Sequence, residues 1–98
     1  MKVELFGFLQ RATGCGRLEL EAPTVRHLLE ALVVRFGERL RGELFLPDGN
    51  LRPGFTILVN GRNIVFLKGL DTPLKPEDTV SLIPPAAGGQ SHALCSYR

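Results

Sequence analysis

The opening residues alternate between polar and apolar side chains, which is typical of a β-strand. Val3 and Leu5 alternate with Lys2 and Glu4, and the apolar residues Phe6 and Phe8 follow on the opposite face. We therefore predict a first strand over residues 2–9 whose second half is apolar on both faces. Clean alternation over residues 17–21 predicts a second strand with one solvated face. The glycine-rich turn at residues 13–16 then joins the two strands into an N-terminal hairpin.

An amphipathic helix is expected next, because apolar residues recur at helical spacing after a capping residue. Thr24 is suited to cap the helix, and Gly37 is suited to end it. The apolar positions are Val25, Leu28, Leu29, Leu32 and Phe36. Residues 38–45 retain part of this spacing, so they form either a second short helix or an irregular crossing.

The second half of the chain favours β-structure. Residues 56–59 are rich in β-branched side chains, and Asn60-Gly61 is the strongest short signal for a hairpin with a type I′ turn. Residues 62–65 would form the return strand, and residues 69–78 a loop that contains two prolines. The final strand at 79–83 is apolar on both faces, so we expect it inside the sheet. With the hairpin and the main helix, this order predicts an α+β fold with a mixed sheet of about five strands and one main helix packed across one face.

Composition changes this picture little. The chain has 98 residues, 44% of them hydrophobic and 22% charged, which suits one globular domain. No apolar run reaches membrane-spanning length and no secretory signal is apparent, so we expect a cytoplasmic protein without a membrane partner. The formal net charge is +2, and the one arginine cluster, at 35, 39 and 41, is interleaved with glutamates, which disfavours nucleic acid.

The two cysteines, Cys15 and Cys95, lack the spacing of a metal site, and we predict no metal. Free thiols in a reducing compartment are the favoured interpretation, although a disulfide between them remains open. His92 lies near Cys95, but two ligands near the end of a chain are weak evidence for metal binding.

The most informative motif is Gly88-Gly89, which follows the last strand and the pair Pro84-Pro85. Glycines without a Cβ allow an extended arm to enter a narrow channel of another protein. A Gly-Gly dipeptide alone is a weak signal, because short motifs match often by accident. Here it is preceded by an apolar strand and two prolines, which makes it more specific.

Taken together, the chain resembles the MoaD/ThiS-like sulfur-carrier family, the ubiquitin-like family that includes the small subunit of molybdopterin synthase. The matching stretches are residues 2–7, 23–32, 57–61, 70–80 and 83–89, in family order. The resemblance implies a β-grasp domain over residues 1–89. It also implies that a ubiquitin-activating-type enzyme uses ATP to adenylate Gly89, after which a persulfide sulfur replaces AMP and leaves a thiocarboxylate.

In this interpretation Gly89 carries the acyl group, Gly88 precedes it, and the chain needs neither a permanent cofactor nor catalytic side chains. Whether such a small subunit counts as an enzyme stays open. The partners would be the adenylating enzyme and the large subunit of molybdopterin synthase or an analogous acceptor. Phe6, Phe8, Ile83, Pro84 and Pro85 would form the partner-binding surface, or else the aromatic residues are ordinary core.

The chain departs from the family pattern because residues 90–98 follow Gly89, and an amide-linked glycine cannot be adenylated. The favoured explanation is a precursor whose tail a peptidase removes. The alternatives are an artefactual tail, or a non-catalytic interaction module that keeps it. Two functions beside molybdopterin synthesis also remain open, namely sulfur donation in a related pathway and conjugation to target proteins through Gly89.

Overall fold

The computed structural model describes residues 1–85, and within them strands and helices occur in the order β-α-β-α-α-β-β-β. Two short 3-10 helices, Ile64–Phe66 and Gly69–Asp71, lie between the last two strands. The strands are β1 Lys2–Leu5, β2 Arg17–Glu19, β3 Thr56–Val59, β4 Arg62–Asn63 and β5 Thr79–Ile83, and the helices are α1 Phe8–Thr13, α2 Val25–Phe36 and α3 Glu38–Leu44.

The five strands form one mixed sheet in the order β2-β1-β5-β3-β4. β5 runs parallel to β1 and antiparallel to β3, so it lies in the centre of the sheet as predicted, although only its Val80 and Leu82 face is buried. The predicted β-grasp arrangement is confirmed. The core forms between the inner face of the sheet and α2, where Val3, Val80 and Leu82 meet Leu28 and Leu29, each fully buried.

Capping and turn chemistry explain where α2 and the β3–β4 hairpin begin and end. The Oγ1 of Thr24 accepts a hydrogen bond from the backbone N–H of His27 at 3.2 Å, which caps α2 as predicted. Gly37 ends α2 with a φ of 110°. Asn60 and Gly61 have φ values of 53° and 85°, the two positive angles that the predicted type I′ turn requires.

The predicted first strand is wrong beyond Leu5. Gly7 has φ 58° and ψ −136°, a conformation that interrupts the extended backbone, and α1 begins at Phe8. Burial of Leu9 in the core stabilises this short helix, and Gly14, with φ 77°, ends it. β1 and β2 are antiparallel neighbours, but a helix joins them instead of the predicted tight turn.

Two further segments differ from expectation. The return strand β4 has only two residues, because Ile64 turns into the core and Ile64–Phe66 becomes a 3-10 helix. Residues 38–44 form a regular helix, α3, which resolves the choice left open for that segment.

Cys15 is buried in the turn after α1 and is disulfide-bonded, so the preference for a free thiol at this position is wrong. Its partner lies outside the described residues. The N–H of Leu5 donates to the carbonyl of Gly16 at 2.9 Å, and Leu5 pairs on its other side with Leu82, so β1 lies between the Cys15 turn and β5.

Candidate functional site

The site predicted from the sequence begins where β5 leaves the sheet. Val80 and Leu82 anchor β5 in the core, with no measurable exposure of either residue. The N–H of Phe6 donates to the carbonyl of Leu82 at 3.2 Å, which extends the ladder between β1 and β5 by one further bond. The position at which the chain leaves the sheet is therefore fixed by two neighbouring strands, β1 and β3.

The two prolines after β5 have different surroundings. Pro84 is buried, whereas Pro85 is exposed and lies against Gly54 in the loop before β3. A Cβ placed on Gly54 would lie 2.8 Å from the Cβ of Pro85, closer than real side chains approach, and Gly54 has a φ of +93°. Glycine at this position therefore permits Pro85 to pack on the loop and directs the chain as it leaves β5. Gly54 was not predicted from the sequence to take part in the site.

Three half-buried apolar residues lie on the outer face of the sheet, opposite the core, beside this exit. The register Leu5↔Leu82 and Thr56↔Ile83 places Phe6 and Ile83 on this face, and Leu58 lies on the same face two residues after Thr56. None of the three belongs to the buried core or packs directly against it. We call Phe6, Leu58 and Ile83 the exit face. Leu58 was missed from the sequence because its strand appeared uniformly buried.

Phe8 does not belong to the exit face. It is the first residue of α1, packs against the core, and contacts Phe55 edge to face, with ring centroids 6.0 Å apart and an interplanar angle of 81°. For Phe8 the structure therefore supports the alternative interpretation as a core-packing residue. Phe55 precedes β3 and follows Gly54, so this aromatic pair supports the loop on which Pro85 rests.

Polar groups near the exit face make a structural contact. The hydroxyl of Ser81 donates to Oε1 of Glu4 at 3.1 Å, which joins β5 to β1 two residues before Phe6 and Ile83. Elsewhere, Nδ1 of His27 lies 2.7 Å from the Oγ1 of Thr24 at the start of α2.

Within residues 1–85 there is no group of three or more His, Cys, Asp or Glu side chains placed to hold a metal ion. The same residues contain no helix long and apolar enough to cross a membrane.

The opposite end of β5 contains a polar network. Asp78 accepts hydrogen bonds from Nδ2 of Asn60 at 2.9 Å and from the backbone N–H of Lys75 at 2.8 Å. These bonds favour the carboxylate and lower the pKa of Asp78, with the bond from Asn60 as the largest cause. The Oδ1 of Asn60 also accepts from the N–H of Thr79 at 2.9 Å. The network ties the β3–β4 turn to the start of β5.

Gly88 and Gly89, the predicted reactive end, lie outside the described residues, and their roles stay predictions. The structure does bring Phe6, Ile83, Pro84 and Pro85 together at the end of β5 from which that segment continues.

Comparison with known proteins identifies the family. The sequence profile of the ThiS family matches residues 3–89, which is nearly the whole chain. The chain belongs to the ThiS family. A relative named a putative sulfur carrier protein, from Archaeoglobus fulgidus, is 40% identical over 76 residues, which cover 76% of this chain and 85% of the relative.

Solved structures agree with this assignment. The solution structure of small archaeal modifier protein 1 from Methanosarcina acetivorans has a TM-score of 0.79 and 34% identity, covering 90% of this chain and 94% of that one. A chain from the crystal structure of the BexX/CysO complex of Amycolatopsis orientalis has a TM-score of 0.74 and 26% identity, covering 90% of this chain and 98% of that one. This ThiS-family chain is thus similar both to sulfur carriers and to ubiquitin-like small modifiers.

Proposed function

We propose that this ThiS-family chain is a sulfur carrier whose reactive group is the carboxylate of Gly89. The observation that carries the proposal is the arrangement at the end of β5, where Pro84 is buried, Pro85 packs on Gly54, and the exit face lies alongside. These contacts fix where the segment containing Gly88-Gly89 begins. The match of the family profile through residue 89 supports the same conclusion.

In the proposed reaction the Gly89 carboxylate attacks the α-phosphate of ATP and releases pyrophosphate, within the active site of a ubiquitin-activating-type adenylating enzyme. The terminal sulfur of a persulfide then attacks the acyl carbon and displaces AMP, which gives an acyl disulfide. A thiol next attacks the donor's sulfur, so the S–S bond breaks, the thiocarboxylate leaves, and the donor ends as a disulfide. Peptide-bond cleavage between Gly89 and Gln90 precedes both steps, because an amide has no free carboxylate to activate. We assign that cleavage to a peptidase. Holding the arm in the partner's channel makes the attack effectively intramolecular.

The exit face is the surface we propose for docking the adenylating enzyme. Phe6, Leu58 and Ile83 are apolar and outside the core, and they lie beside the point from which the arm departs. A partner that covers these residues therefore receives the arm at the same time. Pro84 and Pro85 would form the rim of the contact, and Phe8 would act indirectly by supporting the loop at Gly54.

ATP–pyrophosphate exchange tests the chemistry directly. We expect exchange when a chain ending at Gly89 is mixed with an adenylating enzyme of the ubiquitin-activating type from the same organism. The full-length chain is the matched control, and it should give no exchange until a peptidase has acted. Adding a persulfide donor together with a thiol should then yield a product in which one oxygen is replaced by sulfur, as measured by intact mass. Absence of exchange with the chain ending at Gly89 would refute the proposal.

A substitution in the exit face tests the docking. Ile83→Glu should raise the KM of the adenylating enzyme for the chain while leaving the exchange rate at saturation unchanged. Val34→Glu, on the outer side of α2, is the matched control, since Val34 is 82% exposed and remote from β5 in the sheet. Equal KM values for the two variants would show that the partner docks elsewhere.

For the recipient of the sulfur we propose molybdopterin synthase, in which the thiocarboxylate would supply the pterin dithiolene within the large subunit. Deleting the chain in its host should then abolish the activity of molybdenum-dependent enzymes, and the wild-type gene should restore it. Sulfur donation to a related pathway would instead leave those enzymes active.

The second candidate function is a protein modifier, which the similarity to small archaeal modifier protein 1 favours. That function predicts conjugates of higher mass that disappear when Gly89 is deleted.

A further inference from the structure

A second surface, at the end of the sheet remote from the exit of β5, has the features of a docking site. It surrounds an open cleft of about 630 Å³, a volume within the range of protein binding pockets. The cleft lies between the end of β3 and the loop before β5, and it is lined by three cations, Arg62, Lys68 and Lys75. Because β5 spans five residues, this end of the strand is about 13 Å from the exit.

The cleft retains an uncompensated positive charge. Its one acidic side chain, Asp78, already accepts hydrogen bonds from Asn60 and from the N–H of Lys75. Among residues 1–85, no carboxylate lies within 4 Å of the side-chain nitrogens of Arg62 or Lys68. By contrast, Arg41 on the other side of the molecule is held by two glutamates, Glu30 and Glu38.

An apolar projection adjoins this cleft on the side of Arg62. Val65 and Phe66 are 75% and 83% exposed, and with Val34 they are the large hydrophobic residues that stand out from the surface within residues 1–85. A second cavity of about 480 Å³ lies next to Phe66 and shares Arg62 and Leu67 with the first cleft. The cations and the aromatic ring therefore belong to one continuous surface.

The local structure holds Phe66 outward. Oδ1 of Asn63 accepts from the N–H of Val65 at 3.0 Å and caps the 3-10 helix Ile64–Phe66, while Ile64 is buried in the core. The N–H of Leu67 donates to the carbonyl of Ile64 at 2.9 Å and closes the turn. An aromatic side chain that is exposed on a hydrogen-bonded turn loses little further conformational freedom when it is covered.

We propose that this surface, formed by Arg62, Phe66, Lys68 and Lys75, binds an acidic segment of a partner protein that carries a large apolar side chain. Charge complementarity selects the carboxylates, and Phe66 supplies the apolar contact that a small anion would not use. The cleft lies at the opposite end of β5 from Ile83, and the cavity beside Phe66 meets the exit face at Leu58, so a partner bound over the cations leaves the end of β5 accessible. It would thus recruit a second protein, whichever enzyme receives the arm, and this role goes beyond the proposed sulfur carriage.

An NMR titration of the full-length chain tests the proposal with a synthetic peptide of glutamates around one central leucine. We expect changes in amide chemical shift confined to residues 62–68 and to the region of Lys75. The affinity for the peptide should fall as salt is added. Two comparison peptides separate the contributions, one with glutamine for every glutamate and one with serine for the leucine. Shifts centred on the exit face, or no binding at millimolar peptide, would overturn the proposal.

Matched variants assign the contacts. Phe66→Ser should lower the affinity for the leucine-containing peptide about tenfold. Val34→Ser alters an equally exposed residue on α2 and should leave that affinity unchanged. Replacing Arg62, Lys68 and Lys75 by glutamine should also lower the affinity for this peptide about tenfold. Neutralising Arg11, Arg17 and Arg39, which changes the net charge equally, should have a much smaller effect.

Inorganic phosphate is the competing ligand for a basic cleft. If phosphate produced the same shifts, and if Phe66→Ser did not affect peptide binding, the cleft would be a small-anion site and the proposal would be wrong. Because exchange at Gly89 does not involve these residues, the Phe66→Ser variant should retain normal ATP–pyrophosphate exchange. Failure of the titration is therefore distinguishable from failure of the sulfur-carrier function.

Discussion

Replacing Gly54 by alanine measures how firmly Pro85 is held at the exit of β5. Gly54 has a φ of +93°, and an added Cβ would lie 2.8 Å from the Cβ and 3.3 Å from the Cγ of Pro85. Gly49 provides a matched control, because its φ is +90° and nothing lies within 4 Å of an added Cβ. The two alanine variants share the backbone strain and differ in the contact with Pro85.

The expected magnitudes follow from these two contributions. An L-residue forced into the left-handed region costs about 1–2 kcal/mol, which is the loss we expect for Gly49→Ala. Crowding against a packed neighbour adds about 1–3 kcal/mol, so Gly54→Ala should lose more than Gly49→Ala by that amount. The difference is largest if Pro85 cannot move away, and it vanishes if Pro85 is free to do so.

Urea unfolding of the full-length chain gives the free energies. A double-mutant cycle with Pro85→Gly isolates the contact, because glycine removes both crowded carbons and leaves the Cα of residue 85 at an ordinary 3.8 Å. We expect the cost of Gly54→Ala to fall by about 1–3 kcal/mol in the Pro85→Gly background. Equal losses for Gly54→Ala and Gly49→Ala, with no coupling in the cycle, would refute the view that Pro85 is held against this loop.

Three further predictions concern stability, measured by urea or thermal unfolding. Since the pKa of Asp78 is depressed in the folded state, its carboxylate contributes to the free energy of unfolding above the unfolded-state pKa of about 3.9, and this contribution is lost as pH falls through the folded-state pKa. Asp78→Asn should therefore make the free energy of unfolding fall less steeply with decreasing pH, and an unchanged slope would contradict this. Thr24→Ala should cost about 1 kcal/mol through loss of the α2 cap, and Thr24→Ser should restore it; equal stability of the two would exclude a capping role. Leu82→Ala should cost about 2–5 kcal/mol, and Ile83→Ala, on the outer face, clearly less; equal losses would place Ile83 in the core.

Much of the fold follows from short-range chemistry. The 3.6-residue spacing from Val25 onward, with Thr24 before it, specifies α2 because one apolar stripe and one capping hydroxyl suffice to define it. Asn60-Gly61 specifies its turn because these residues tolerate two positive φ angles. Val80 and Leu82 specify the core face of β5, whereas Thr79, Ser81 and Ile83 lie half-buried on the outer face, and pairing with β1 and β3 makes the strand central.

The errors occurred where long-range packing overrides local pattern. Phe6 and Phe8 continue an alternation that predicts one strand, but the buried position of Leu9 and the backbone of Gly7 favour a helix instead. Ile64 and Val65 appear equally strand-like in sequence, yet one is buried and the other exposed because the chain turns inward after two residues of β4. Periodicity gives the faces of an element, and only the contacts show where that element ends.

For the candidate site the same division holds. The sequence alone determined the family resemblance and predicts the role of Gly88-Gly89, because both depend on residue types in order along the chain. The tertiary structure decided which side chains surround the exit: it added Leu58 and Gly54 and assigned Phe8 to core packing. It also joined Phe66, through Arg62 and Leu67, to a cleft whose three cations are spread over 14 positions from Arg62 to Lys75. Such surfaces join residues distant in sequence, and strand register and loop packing, which no local pattern encodes, determine their proximity.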